Sequence, residues 1–283
     1  MLMETKPDRG PVAEATPWAL ENLPPFSPVA MRLVGLLSDE NVHVDQVSRF
    51  IAAEPVFAAR VLQLANSPLF ALMRQVTSIP QAVIVVGLER VKAIALTRAM
   101  GDFVAPVLRR KALAACWKNS LAGALVAEAL APVYHLDAGT AYTAGLLRDI
   151  GRLALLVKYP EAYTNALEIA REGADLRETE RNLFDIDHCE AGKWIVSRLF
   201  LPEELCRCVI HHHDREIPDG WDLVHLVRTA DRLTDALGFA VLPNAPQPKP
   251  EEVLAEAPGA GRRSSLDLEA LPGEVERRIA TLA

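Results

Sequence analysis

The chain has 283 residues, 50% of them hydrophobic and 24% charged, and a formal net charge of −7 at pH 7. That is material for one large core or two smaller lobes, and the acidic balance argues against a nonspecific grip on nucleic acid, which needs a basic face to displace counterions. No uninterrupted apolar run can cross a bilayer, because Glu89-Arg90 and Arg148-Asp149 break the best candidates. The amino-terminal MLMETKPDRG has no apolar segment ending in a cleavage site, so the cytoplasm is the expected location.

In chain order, residues 1–22 are rich in Pro, Glu and Thr and read as a mobile leader, with Trp18 and Leu20 as its docking residues. From Ser27, Val29, Leu33, Leu36 and Leu37 recur at helical spacing as far as the turn Ser38-Asp39-Glu40-Asn41. A second helix carries Val44, Val47, Phe50 and Ile51 and ends at Glu54, since Pro55 disfavours helix before it and suits the first turn of the next. That next helix stops at Asn66-Ser67-Pro68, where Asn66 and Ser67 serve as stop residues. Ile79 to Val86 is β-branched, but no partner strand of similar composition exists, so it reads as a buried helix broken by Gly87 and followed by a helix from Leu88 to Val104.

Helical patterns then cover Lys111 to Tyr134, Thr140 to Val157, Pro160 to Glu172, roughly residues 175 to 185, His188 to Phe200, Pro202 to His213, and Trp221 to Leu237. Cys206-x-Cys208 is a poor zinc motif, because residues two apart on a helix point roughly 200° apart and no second Cys pair matches it. With Cys116 and Cys189, these read as reduced thiols. The stretches PNAPQPKPEE and APGAGRRSS mark residues 241–268 as a linker. Beyond it, Leu271, Val275, Ile279 and Leu282 form the stripe of a short amphipathic helix over 269–283, with Glu274 and Arg278 as an i,i+4 ion pair. The expected architecture is all-α, a two-lobed helical bundle with lobes at 23–107 and 108–240.

Ionisable or amide side chains interrupt otherwise apolar helices at Asn119, Arg148-Asp149, His188, His212-His213 and Asp231. A buried charged pair needs partners to offset its desolvation. Histidine and aspartate gathered from several helices of a bundle are the usual materials of a metal centre.

At this point the sequence resembles a known family. LPPFSPVAMRLVGLLSDENVHVDQVSRFIAAEPVFAARVLQLANSPLF, followed by VTSIPQAVIVVGLERV, looks like the N-terminal half of HDOD domains. AGLLRDIGRLALL, followed by DHCEAG, IHHHD and TADRLTDAL, looks like the HD-type phosphohydrolase superfamily, including its HD-GYP branch. The resemblance covers roughly residues 20 to 240 and implies a lobe of the HD type.

Carried over residue by residue, the resemblance puts Asn119 where the active enzymes have an early histidine, and Arg148 where they have the histidine of the HD doublet. Asp149, His188, His212, His213 and Asp231 match surviving ligand positions, and would be the ligands of any divalent metal. A guanidinium has no lone pair to give a metal and stays charged, so Arg148 is expected to repel the ion and to reach Asp149 or Asp231 instead. The expectation is a relict site with no cofactor, in a regulatory module that binds a protein partner or a nucleotide, and no membrane. A residual metal-dependent phosphohydrolase is the alternative. A nucleic-acid-binding regulator is disfavoured, because only Arg90, Lys92 and Arg98 cluster on the angular helix pairs near Pro55 and Gly87.

Overall fold

A computed structural model of the chain describes residues 16–25, 42–66, 74–199, 201–214, 222–242, 246–258 and 266–282, and all regular structure among them is helical. A 3-10 turn at Trp18–Leu20 buries Ala19 and Leu20 in the main core. The Lys158 ammonium holds it by donating to the carbonyls of Trp18 (3.3 Å) and Ala19 (3.1 Å). The helix expected from Ser27, its closing turn, and Ser67-Pro68 fall outside the described residues.

Helix α1 (Val44–Ala52) is followed by α2 (Pro55–Ala65), which starts on its proline and stops at Asn66. Asn66 donates Nδ2 to the carbonyls of Leu62 and Val76, both at 2.9 Å, and accepts the Val76 amide at 2.7 Å. Helix α3 (Ile79–Val86) is capped by Ser78, whose hydroxyl accepts the Gln81 amide. Burial of Ala82, Val83 and Val86 among helices is why a β-branched run stays helical here. Gly87, at φ +85°, turns the chain into α4 (Leu88–Val104). Val91 of α4 joins Val47, Ile51 and Val61 in a small core, while Leu96, Met100 and Phe103 of the same helix enter the large one.

The large core is built on α5 (Lys111–Tyr134), whose alanines and glycine let neighbours approach closely. Around it run α6 (Ala138–Leu147), α7 (Ile150–Lys158), α8 (Pro160–Arg171), α9 (Leu176–Phe184), α10 (His188–Val196), α11 (Glu203–His211) and α12 (Leu223–Thr234). The single helix expected over Thr140 to Val157 is two helices, which separate at Asp149 (φ −102°, ψ 20°). Neither Arg148 nor Asp149 is a helix breaker, so the apolar pattern gave no sign of the break.

Past α12 the chain makes a π-type turn at Asp235–Phe239, with Gly238 at φ +92°. Inside the stretch read as a linker, α13 (Pro250–Ala255) buries Val253 and Leu254, and its neighbour Glu256 pairs with Arg232. The last helix, α14 (Leu271–Leu282), buries Leu271, Val275 and Ile279, the expected stripe. Arg278 does not bond along its helix to Glu274 as the spacing implied. It reaches Glu128 on α5 at 2.6 Å, because docking offers a better-shielded carboxylate than an exposed helix face does, and Glu276 binds Lys118 at the surface at 2.6 Å. No helix among the described residues is long and apolar enough to cross a membrane.

Candidate functional site

Arg148 closes α6 and turns its whole side chain inward; it is 0% exposed. Its Nε donates to Asp231 Oδ1 at 2.9 Å and lies 3.3 Å from Asp149 Oδ2. Nη1 donates to the Gly145 carbonyl at 2.7 Å, and Nη2 donates to Asn119 Oδ1 at 2.6 Å. A planar fork of five donors is thus matched by a ring of acceptors. Space for it comes from Gly123, since a Cβ there would overlap Nη1 and sit 2.5 Å from Cζ. Asn119 completes its own bonding by donating Nδ2 to Asp235 Oδ1 (3.1 Å) and to the Phe239 carbonyl (3.0 Å).

The histidines meet on the other side of Asp149. Helices α7 and α10 cross so closely that a Cβ on Gly151 would overlap the His188 carbonyl, and this crossing brings His188 to the doublet. His188 Nδ1 lies 2.6 Å from Glu180 Oε2, which also accepts the His188 amide at 2.9 Å. The Tyr163 hydroxyl donates to the other Glu180 oxygen. His188 Nε2 faces His213 Nε2 at 3.1 Å. His212 is buried, with Nδ1 3.0 Å from the Val209 carbonyl and Nε2 3.7 Å from Asp149 Oδ1. His211 turns away and pairs with Asp214 at 2.7 Å.

Three participants escaped the sequence reading. Arg152, one turn after Asp149, brings Nη2 within 3.3 Å of Asp149 Oδ1 and 3.2 Å of His188 Nε2. It carried the same signal as Arg148, a charge inside the apolar run IGRLALLV. Glu180 lies on α9, polar at most positions, so nothing marked it for complete burial. Asp235 lies past the helical end of α12.

Electrostatics follow from this enclosure. Burial works to raise the Asp149 carboxyl, but Arg152 and Arg148, with His212, outweigh it and hold it well below the usual carboxylate range. Burial also opposes the charge on Arg148, and Asp149 and Asp231 overcome that. His213 is pushed well below the usual imidazole value by burial and by His212 and His188, so it is neutral at pH 7. Burial and the Asp231 charge lift Asp235 to about 7.

The Asp235 shift has a measurable consequence. Its folded value lies above the ordinary aspartate value of 3.8, so folding is favoured most below 3.8 and loses stability as pH rises through the window up to about 7. Asp235→Asn keeps an acceptor for Asn119 and removes the charge. Its advantage in thermal midpoint over the parent should grow from pH 4 to pH 7 and then level off. A gap independent of pH would refute the assignment.

The side chains present do not fit the metal centre that the HD-type resemblance implies. Each oxygen of Asp149 faces a guanidinium nitrogen at 3.3 Å, Arg152 stands 3.2 Å from His188 Nε2, and Asn119 offers only an amide oxygen, which is already used. Cys189 Sγ lies within 4.8 Å of the ligand atoms of His188, His212 and His213. Burial and Asp187 push that thiol far up, so it is protonated. Above the histidines opens a cleft of about 510 Å3 lined by Asn119, Arg152, Arg177, His213, Asp231 and Asp235.

Known proteins bear on this geometry. The HDOD domain model matches residues 23–215. Among solved structures, an HDOD domain protein of unknown function from Geobacter sulfurreducens is 27% identical, with a TM-score of 0.68 over 93% of this chain and 91% of that one. Two more share the fold at 21% identity, each over 93% of this chain. One is from Shewanella amazonensis SB2B, provisionally named a phosphohydrolase, with a TM-score of 0.64 over 94% of that chain. The other is from Marinobacter aquaeolei VT8, provisionally named a signal transduction protein, with a TM-score of 0.60 over 58% of that chain. A Treponema pallidum protein without an assigned function is 22% identical over 199 residues, 69% of this chain but only 38% of its own length.

Proposed function

The chain belongs to the HDOD domain family, and from that premise we propose that it is a non-catalytic regulatory module of bacterial signal transduction, working in the cytoplasm by binding a protein partner or a nucleotide. The observation that carries this reading is Arg148, whose guanidinium is bonded by Asn119 and Asp231 and flanked by Asp149. A fixed cation in that position neutralises the carboxylates that would hold an ion, so no hydroxide is generated there and no phosphoester is cleaved. The fold is retained as a rigid frame whose clefts and helical faces are available to a ligand.

A residual metal-dependent phosphohydrolase is the second reading, favoured by one observation. Among the described residues, His212 Nε2 and both oxygens of Asp149 are buried with no hydrogen-bond partner, and His212 lies close to the other two imidazoles. Elemental analysis of the full chain, purified without chelator and dialysed, separates the two. We expect far less than one equivalent of metal in the native chain, and uptake in the Asn119→His/Arg148→His variant, where two imidazoles replace the amide and the cation. A full equivalent in the native chain would overturn the non-catalytic reading whatever the variant does.

A further inference from the structure

Away from the histidines, a second cleft of about 240 Å3 lies among α2, α4, α5, α6 and α14. Arg60 of α2, Arg90 of α4 and Arg278 of α14 line it, together with a single carboxylate, Glu128. Glu128 is bridged by Arg278 at 2.6 Å and Arg90 at 3.6 Å. Arg60 Nη1 reaches the Leu282 carbonyl at 3.4 Å, so α2 and α14 meet across the opening. Glu89 beside the cleft is matched by Lys92 at 2.7 Å. Gly139 lets α6 press onto the start of α4, since a Cβ there would lie 2.7 Å from Glu89 Cβ.

Three guanidiniums against one carboxylate leave an excess of two positive charges among the described lining residues. The inner wall is of another kind: Leu64, Ile94 and Tyr142, the last with its hydroxyl 2.9 Å from Thr97 Oγ1. A ligand suited to both parts has a dianionic end and a flat ring face to lay against the apolar wall. A phosphomonoester carries about −1.5 to −2 charges at pH 7 and bonds bidentately to arginine. The volume of about 240 Å3 lies below the roughly 300–1,000 Å3 of ordinary ligand pockets, which suits a small ligand.

We propose that this cleft binds a nucleoside monophosphate, with Arg60, Arg90 and Arg278 on its phosphate and Ile94 and Tyr142 against its base. This deepens the nucleotide reading given above and rests on it. Because the three arginines come from the amino-terminal helices, the helix shared by both cores and the tail, occupancy would tie together three parts of the fold. That is what a ligand-responsive regulator requires.

Calorimetric titration of the full chain with AMP, GMP, CMP and UMP tests it, with adenosine and inorganic phosphate as part-ligands. We expect one-to-one binding of at least one nucleotide, at least tenfold weaker binding of either part-ligand, and roughly tenfold weaker nucleotide binding in both Arg60→Gln and Arg278→Gln, each losing a charge-assisted pair. His213→Ala should leave the affinity unchanged. Failure of all four nucleotides to bind, or binding indifferent to both arginine variants, overturns the proposal. Affinity lost only in His213→Ala overturns it too, moving the nucleotide to the cleft above the histidines. The metal analysis decides the non-catalytic reading independently of these outcomes.

Discussion

Arg148→Ala should lower the stability of the folded chain by about 3–5 kcal/mol, the range found when one partner of a buried ion pair is removed. At roughly 2–4 °C per kcal/mol for a chain of this size class, the thermal midpoint should fall by about 10 °C. The loss comes from what stays behind. Asp149 is fully buried, and its carboxyl would keep only Arg152 as a neighbouring guanidinium, while Asp231, Asn119 Oδ1 and the Gly145 carbonyl would each lose a donor. Arg148→Lys should recover only part of the loss, because a single ammonium cannot serve acceptors that a planar fork reaches in several directions at once. Urea unfolding of both variants measures this, and a cost under about 1 kcal/mol for the alanine variant would mean that the network is not a determinant of stability.

Gly123→Ala is the sharper experiment, because two physical arguments predict opposite signs. Helix propensity alone favours alanine over glycine inside α5 by about 1 kcal/mol. The structure instead puts the new methyl onto Arg148, 2.7 Å from Nη2 and overlapping Nη1. Over-packing costs about 1–3 kcal/mol, and displacing a guanidinium from buried acceptors adds to it, so a loss of about 3 kcal/mol or more is expected. In an Arg148→Ala background the obstacle is gone and the same substitution should cost less than about 1 kcal/mol or stabilise. A double-mutant cycle should therefore return a coupling of roughly 2 kcal/mol or more. Additive effects would show that Gly123 does not make room for Arg148.

The candidate site was partly legible because of a contrast visible in one dimension. Arg148-Asp149 stood out as a charged doublet in an apolar run, and Asp231 stood out similarly. Arg152 sends the same signal three residues on, but a single arginine in such a run also fits a charge that snorkels to solvent. Glu180 sent none. A glutamate in LRETERNLF looks solvated, and only the packing of α9 against α8 and α10 buries it beneath Tyr163 and His188. The break between α6 and α7 was hidden for a related reason, as the segments on either side are apolar and no glycine or proline separates them.

The sequence by itself determined that the chain is helical, which family it belongs to and which polar residues interrupt its apolar helices. These follow from helical periodicity, stop residues such as Asn66 and Gly87, and motifs in a fixed order, all of which act over a few residues. Only the tertiary structure decided what those residues touch. Asn119, Arg148, Asp149 and Asp231 are brought together from α5, the α6–α7 junction and α12, and the three arginines of the second cleft come from α2, α4 and α14. Periodicity says which face of a helix is buried but not which other helix covers it, and desolvation, ion pairing and the space left by a missing Cβ are properties of that second fact.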